Sequence, residues 1–290
     1  MRILLTGCRG QVGSELACAL AALGDVVATD RTTLDLADAD ATRRTVREAR
    51  PSIIVNAAAY TAVDKAESER AIAMQVNGIA PGLLGEEAKR LGALLVHYST
   101  DYVFNGEKRS PYTEDDVPNP LNHYGRSKLE GELVIVASGC RHLILRTSWV
   151  YGPRANNFYQ LIARKAAEGE PIRMVDDQTS VPTPSNFVAA YTVALLRKEA
   201  TGLLNLVPSG QATRYAFARK VAAAMHSSSA VEPARTVEFP APARRPVYSV
   251  LANRSAATKL GAPLPDWGSE LDRCLTEWLR DAQAKRTTRG

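Results

Sequence analysis

Cysteine is scarce in this sequence, with four in 290 residues, and the four are scattered. Cys8, Cys18, Cys140 and Cys274 form no C-x-x-C pair, and no histidine cluster stands near them. A disulfide framework and a structural zinc site are thereby excluded, and a reducing compartment is implied. Long apolar runs are missing too: none approaches the roughly 18 residues that a membrane span needs. The apolar run at residues 3–6 ends at once in glycine-containing sequence and does not read as a secretory leader. These absences predict a cytoplasmic protein with no membrane partner. Charge of one sign is in small excess only, 36 Lys and Arg against 31 Asp and Glu, a net +5. Part of that excess is the tail at Lys285, Arg286 and Arg289, which reads as a solvated, frayed end. No nucleic-acid-binding motif accompanies it, so no nucleic-acid partner is expected. The remaining surplus suits an anionic small molecule.

What is present is an ordinary globular composition, 45% hydrophobic and 23% charged, in a chain long enough for a full core. The first half alternates short β-branched runs with helical patterns. Strands are predicted at 2–6, 26–29, 52–56, 93–98 and 142–147, and helices at 11–23, 39–49, 65–91 and 124–137. Such alternation builds βαβ units, a parallel sheet and helices on both faces, so the expected architecture is an α/β, doubly wound Rossmann-type fold. Beyond Gly152 the pattern is less regular and richer in proline. Helices are expected at 157–168, 185–198, 214–225 and 269–282, with short strands near 172–175, 203–206 and 236–239. This half reads as a smaller C-terminal substrate-binding lobe (151–290), interleaved with the nucleotide-binding domain (1–150).

Gly7, Gly10 and Gly13 form a G-x-x-G-x-x-G run between the first strand and the first helix. Glycine there permits a tight turn and close approach of a pyrophosphate to the backbone. The helix that follows, through Gln11 and Val12, offers free N–H groups and a partial positive charge. Strand, loop and helix in this order point to a dinucleotide. Asp30 closes the second strand, where a carboxylate binds adenosine ribose hydroxyls, which suits NADH. Arg31 beside it can take a 2′-phosphate instead, so NADPH stands as the other reading, and a solvated strand end as a third. Asn56 and the three alanines after it leave room for a flat cofactor or for close helix packing.

Tyr124 and Lys128 stand four residues apart, on one face of a helix. A lysine cation beside a phenol favours the phenolate, so Lys128 is expected to lower the Tyr124 pKa from its ordinary value near 10. Tyr124 can then give a proton to a carbonyl oxygen as hydride reaches the carbon. Thr100 lies in YSTDYVF (98–104) at the end of a predicted strand, where ligands of open α/β sheets bind. Its hydroxyl can bond the same carbonyl and steady Tyr124. His97 reads as a core histidine. His123 points off the Tyr124 face and receives no role. Arg245 can grip a diphosphate through its fork of donors or be simply solvated.

The stretches LLTGCRGQVGSEL, VNAAAYTAVDKAE, VHYSTDYVFNG, PLNHYGRSKLEGE, LRTSWVYG, NNF, DDQTSVPT and RPVYSVL carry a resemblance over nearly the whole chain. The sequence resembles the extended short-chain dehydrogenase/reductases and, within them, the dTDP-4-dehydrorhamnose reductase family. That resemblance implies reduction of the C4 ketone of dTDP-4-dehydro-L-rhamnose by NADPH or NADH, for cell-surface polysaccharide, with Thr100, Tyr124 and Lys128 as the catalytic trio. It implies cofactor contacts at Gly10, Gln11, Val12, Asp30, Asp35, Leu36, Ala59, Tyr60, Thr61, Tyr98 and Lys128. It implies a nucleotide-sugar partner, touched by Thr100, Asp101 and Trp149. Related 4,6-dehydratases carry Asp-Glu after the threonine, whereas Tyr102 follows Asp101 here, so the base for elimination is missing. Some members dimerise through a metal such as Mg2+. Glu15 matches one ligand position, but Asn186 stands at another, so no metal site is assigned, and the chain is expected as a monomer or homodimer. A regulatory subunit of methionine adenosyltransferase shares the resemblance, which keeps a non-catalytic NADP-binding role as the alternative.

Overall fold

Each β-branched run of the first half forms a strand, and each amphipathic stretch a helix over it. A computed structural model describes residues 1–154 and 157–287. The order is β1 (Arg2–Thr6), α1 (Gln11–Ala19), β2 (Asp25–Thr29), α2 (Ala39–Ala49), β3 (Ile53–Asn56), α3 (Arg70–Met74), α4 (Ala80–Leu91), β4 (Leu94–Thr100), α5 (His123–Ser138) and β5 (Arg141–Thr147). The second half continues with β6 (Val150–Tyr151), α6 (Phe158–Glu168), β7 (Ile172–Val175), β8 (Thr179–Ser180), β9 (Thr183–Pro184), α7 (Ser185–Arg197) and β10 (Gly202–Asn205). It ends with β11 (Ala212–Thr213), α8 (Arg214–Ala224), β12 (Val231–Ala234), α9 (Arg254–Leu260) and α10 (Trp267–Thr287). The expected tail falls partly within α10, and its last residues, 288–290, lie outside the described residues.

Six strands make one parallel sheet in the order β10-β5-β4-β3-β1-β2. Strand order runs outward in both directions from β1 and β3, so a crevice opens at their carboxyl ends. Alternate residues build two cores. Ile3, Leu5, Val55 and Val96 pack with Leu16 of α1 and Phe187 of α7. Leu4, Ile54 and Leu95 pack on the other face with Val46, Leu84 and Ile135 of α2, α4 and α5. Full burial of such a side chain contributes about 1.5–3 kcal/mol, so the covered sheet is a firm base for loops at its carboxyl edge.

A second body gathers β7, β12, α6, α8 and α10 around Tyr151, Ile162, Phe217 and Leu271. The chain crosses between the bodies, because α7 and β10 return to the first sheet. Among the described residues, no helix is long and apolar enough to cross a membrane.

Two of the expected elements take another form. The long helix expected at 65–91 is broken into a 3-10 turn (Lys65–Glu67), α3, a π turn (Gln75–Ile79) and α4. In that π turn the buried Asn77 accepts from the Tyr60 N–H at 2.8 Å and donates to the Tyr60 carbonyl at 2.9 Å. These bonds tie the helix to the loop after β3, which local periodicity cannot announce. The strand expected at 236–239 is instead a 3-10 turn (Thr236–Glu238). Glu238 accepts from the Arg235 N–H at 2.6 Å and Asp177 from the Thr236 N–H at 3.0 Å, and these carboxylates close the backbone into a turn. The true strand, β12, lies just before it and pairs with β7; its Pro233 is tolerated at an edge.

Candidate active site

The glycine loop is shaped by backbone contacts. Gly7 has φ +71°, and a Cβ there would lie 2.7 Å from the Ala58 backbone. A Cβ on the buried Gly13 would come within 2.0 Å of the Gly7 carbonyl oxygen, so α1 can sit directly on the loop only because that position is glycine. Gly10 caps α1 with no side-chain acceptor, and no acidic residue stands in its first turn. Amide hydrogens at this end are thus left for an anion, which fits a dinucleotide pyrophosphate.

A cleft of about 710 Å³ runs from this loop past the ends of β3, β4 and β5. Every residue named above for cofactor, substrate or catalysis lines it, apart from the buried Asn56, Gly13, packed beneath the loop, and Arg245, which lines a neighbouring cleft. At the end of the cleft beside the glycine loop the Asp30 carboxylate is already engaged. It accepts from the Thr32 N–H at 2.8 Å and Thr32 hydroxyl at 2.6 Å, and pairs with Arg9 Nε at 2.6 Å. Those bonds, the Thr32 hydroxyl foremost, hold its carboxyl below the usual range. Arg9 and Arg31 stay mostly exposed, at 78% and 83% of their side chains, and Arg31 stands 3.7 Å from the Asp35 carboxylate. Arg9 was not anticipated, although it sits between two loop glycines.

At the other end, Asn122 caps α5 by accepting from the Gly125 N–H at 2.8 Å. A Cβ on Gly125 would meet the Tyr102 carbonyl oxygen at 2.1 Å, so the helix start lies hard against the turn after β4. This docking brings Tyr124 beside Thr100, whose hydroxyl works against the rise of the phenol pKa. Thr100 donates to Asp101 Oδ1 at 3.1 Å and accepts from the Tyr102 N–H at 3.2 Å. Asp101 is 2% exposed, and its Oδ2 accepts from the Ser249 and Ser180 hydroxyls at 2.5 and 3.2 Å. Burial raises its carboxyl to about 6, against the pull of those hydroxyls. Tyr102 packs edge-on to the Tyr124 ring, with centroids 6.0 Å apart. An aromatic ring therefore stands against the phenol ring.

One expectation is reversed. Lys128 does not lower the Tyr124 phenol here; burial pushes that phenol well above its ordinary value. Lys128 is itself 2% exposed and turns its Nζ to His97 Nε2 at 3.0 Å. Desolvation lowers the amine to about 8, partly offset by Glu132.

Along the same cleft Trp149 adopts a left-handed backbone, φ +41°, unusual for a bulky residue. The Arg214 guanidinium lies 4.2 Å from the centre of its ring and 5.1 Å from that of Phe158. Arg214 lines both this cleft and the neighbouring one of about 500 Å³, which also carries Arg244 and Arg245. Arg245 is neither simply solvated nor wholly free, since its fork holds both Asp64 oxygens, at 3.1 and 2.7 Å. Nothing in the sequence marks Arg214 beyond its place at a helix start. His123 bonds the Arg70 carbonyl at 3.3 Å, away from the cleft. Asn186 bonds Glu277 and Cys274, and among the described residues no cluster of His, Cys, Asp or Glu could hold a metal.

The model of the RmlD substrate binding domain matches residues 1–280. A dTDP-4-dehydrorhamnose reductase of Burkholderia thailandensis is 42% identical over 296 residues, covering 96% of this chain and 99% of that one. The solved structure of a dTDP-4-dehydrorhamnose reductase from Clostridium acetobutylicum superposes with a TM-score of 0.92 at 34% identity, covering 96% and 100% of the two chains. That of the Bacillus anthracis enzyme in complex with NADP gives 0.91 at 34% identity, covering 95% and 99%.

Proposed function

The chain belongs to the family of the RmlD substrate binding domain, and from that membership we propose that it reduces the C4 ketone of dTDP-4-dehydro-L-rhamnose to dTDP-L-rhamnose with NADPH. The observation that carries this reading is the meeting of Thr100, Tyr124 and Lys128 in the same cleft as the glycine loop. A reduced nicotinamide supplies the hydride. Tyr124 supplies the proton: its phenol stays protonated at neutral pH, as an acid must be, and donates once the carbonyl oxygen gains charge. Thr100, fixed by Asp101 and the Tyr102 N–H, holds the phenol in line. Lys128, near 8, returns a proton to the phenolate. Trp149 and Arg214 receive the sugar and the diphosphate, and Tyr102 keeps water from the phenol. The product serves cell-surface polysaccharide, and the reaction runs in the reducing cytoplasm, where the four cysteines stay free thiols.

Purified protein given the keto-sugar nucleotide should oxidise NADPH and yield dTDP-L-rhamnose, identified by NMR. A protein that binds NADPH but turns over no keto-sugar nucleotide in a panel would refute the proposal. Preference for NADPH follows from Arg9 and Arg31 beside an Asp30 already bound within its own turn. Replacing each arginine with serine should raise KM for NADPH about tenfold and leave KM for NADH unchanged.

A further inference from the structure

Behind Lys128 lies a row of polar side chains that no step above uses. Thr6 on β1, Asn56 on β3 and His97 on β4 are register partners, so they stand side by side on one face of the sheet. It is the face that α5 covers. All three are buried, His97 completely. Thr6 Oγ1 donates to Asn56 Oδ1 at 2.7 Å, and Asn56 Nδ2 meets His97 Nδ1 at 3.1 Å. His97 Nε2 completes the row at Lys128 Nζ. Aliphatic side chains would fill the same space without the desolvation cost, so packing alone does not account for the row.

We propose that His97 is a positioning residue for Lys128, holding its nitrogen in place in both protonation states during turnover. The inference rests on the reading of Lys128 as a catalytic group. The row closes in two ways. With Lys128 as the amine, Asn56 Nδ2 donates to Nδ1, and the Nε2 hydrogen donates to the Nζ lone pair. With Lys128 as the ammonium, Nζ donates to Nε2, the ring hydrogen sits on Nδ1, and Asn56 offers its oxygen. One added proton, a shift of the ring hydrogen from Nε2 to Nδ1 and a half-turn of the amide separate the two, and neither leaves Lys128 or the ring without a partner. A lysine that lends a proton to Tyr124 and regains it passes through both. Burial keeps the ring neutral by holding its pKa well below the usual imidazole value, so it exchanges hydrogen bonds without taking the charge.

The ionisable groups around Lys128 come from several elements. Glu132 and Tyr124 lie on α5, His97 on β4, and Arg146 on β5 holds both Glu132 oxygens. Asp101 and Tyr102, in the turn after β4, act on Tyr124. Glu67, in the turn before α3, accepts from the His123 N–H. The π turn contributes neutral Asn77, bonded to Ser127, and Glu87 of α4 is bound by Arg47 and Arg90.

The test follows kcat of the full chain, with NADPH and the nucleotide sugar, from neutral to alkaline pH. Turnover that needs the ammonium falls as pH rises through the Lys128 value, which defines a basic limb. His97→Leu removes the acceptor, and the ammonium loses more than the amine. The limb should move about one unit lower and kcat near the limb fall about tenfold, with KM for NADPH unchanged. His97→Gln, whose amide oxygen can reach Nζ, should restore the limb. An unmoved limb in folded His97→Leu overturns the proposal, because a merely structural histidine lowers the unfolding midpoint and leaves the limb in place. Should His97→Leu not fold, nitrogen shifts of the wild-type imidazole decide. The ring hydrogen should pass from Nδ1 to Nε2 as pH rises through about 8, with no imidazolium. A hydrogen that stays on one nitrogen overturns the proposal. Lys128→Met separates the layers: undiminished turnover defeats the catalytic reading of Lys128, and with it the premise. A dead Lys128→Met beside an indifferent His97→Leu defeats the role of His97 alone.

Discussion

In the proposed reaction Tyr124 releases a proton that its surroundings hold tightly, and the direction of that reaction explains why this serves. A phenol raised by burial is a poor base but a stable acid, and it yields its hydrogen when hydride transfer makes the carbonyl oxygen the stronger acceptor. Tyr124→Phe should therefore lower kcat about 10²–10⁴-fold, the usual range for a positioned acid, while fluorescence titration shows unchanged NADPH affinity. Asp101 titrates differently in folded and unfolded chains. Its folded carboxyl is raised from 3.8 to about 6, so the protonated form contributes stability that is complete below about 3.8 and lost as pH rises through about 6. Asp101→Asn removes that titration. In urea unfolding across this range, wild type should lose stability relative to the variant as pH climbs, then keep a constant offset above about 6.

Among the elements, α1 and the π turn do the most to set the site. The first turn of α1 lies against the loop because Gly13 brings no Cβ to the Gly7 carbonyl. Gly13→Ala must push the helix off the loop, which should destabilise the fold by about 1–3 kcal/mol and abolish NADPH binding. Thermal unfolding with and without NADPH checks both: the variant should melt lower and gain nothing from the cofactor. The π turn acts by reach. Asn77 clamps Tyr60 on one side and bonds Ser127, next to Lys128, at 3.0 Å on the other. A regular helix over 65–91 would turn that amide away. The periodicity of those residues is helical, as expected, and the break comes from contacts with residues far along the chain.

At the scale of the whole molecule, the second body carries cations to the mouth of the first. Arg214 joins the two clefts, Arg244 and Arg245 line the outer one, and the net charge is +5. Such a surface draws a nucleotide diphosphate through a field that salt screens over about 8–10 Å. KM for the nucleotide sugar should accordingly rise with sodium chloride while the urea midpoint changes little; a KM indifferent to salt would remove steering from the account. The two bodies are also tied across the mouth. Asn157, at the start of α6, donates to Gln11 of the glycine loop at 2.8 Å, and Arg245 holds Asp64.

The sequence by itself determined the doubly wound sheet, the glycine loop and the placing of Tyr124 and Lys128 one turn apart on a single helix. Each is a matter of local geometry: strand and helix periods, a positive φ, a four-residue helical spacing. Tertiary structure decided what those groups touch. Asp30 turns its carboxylate into its own loop, and Arg245 finds Asp64 181 residues away. His97 reads as a core residue and is one, yet its ring faces a lysine 31 residues on because β4 and α5 pack there. Burial likewise set the protonation of Tyr124 and Lys128 in directions that spacing alone could not supply. Solvent exclusion depends on every element that covers a group, and only the assembled fold specifies that cover.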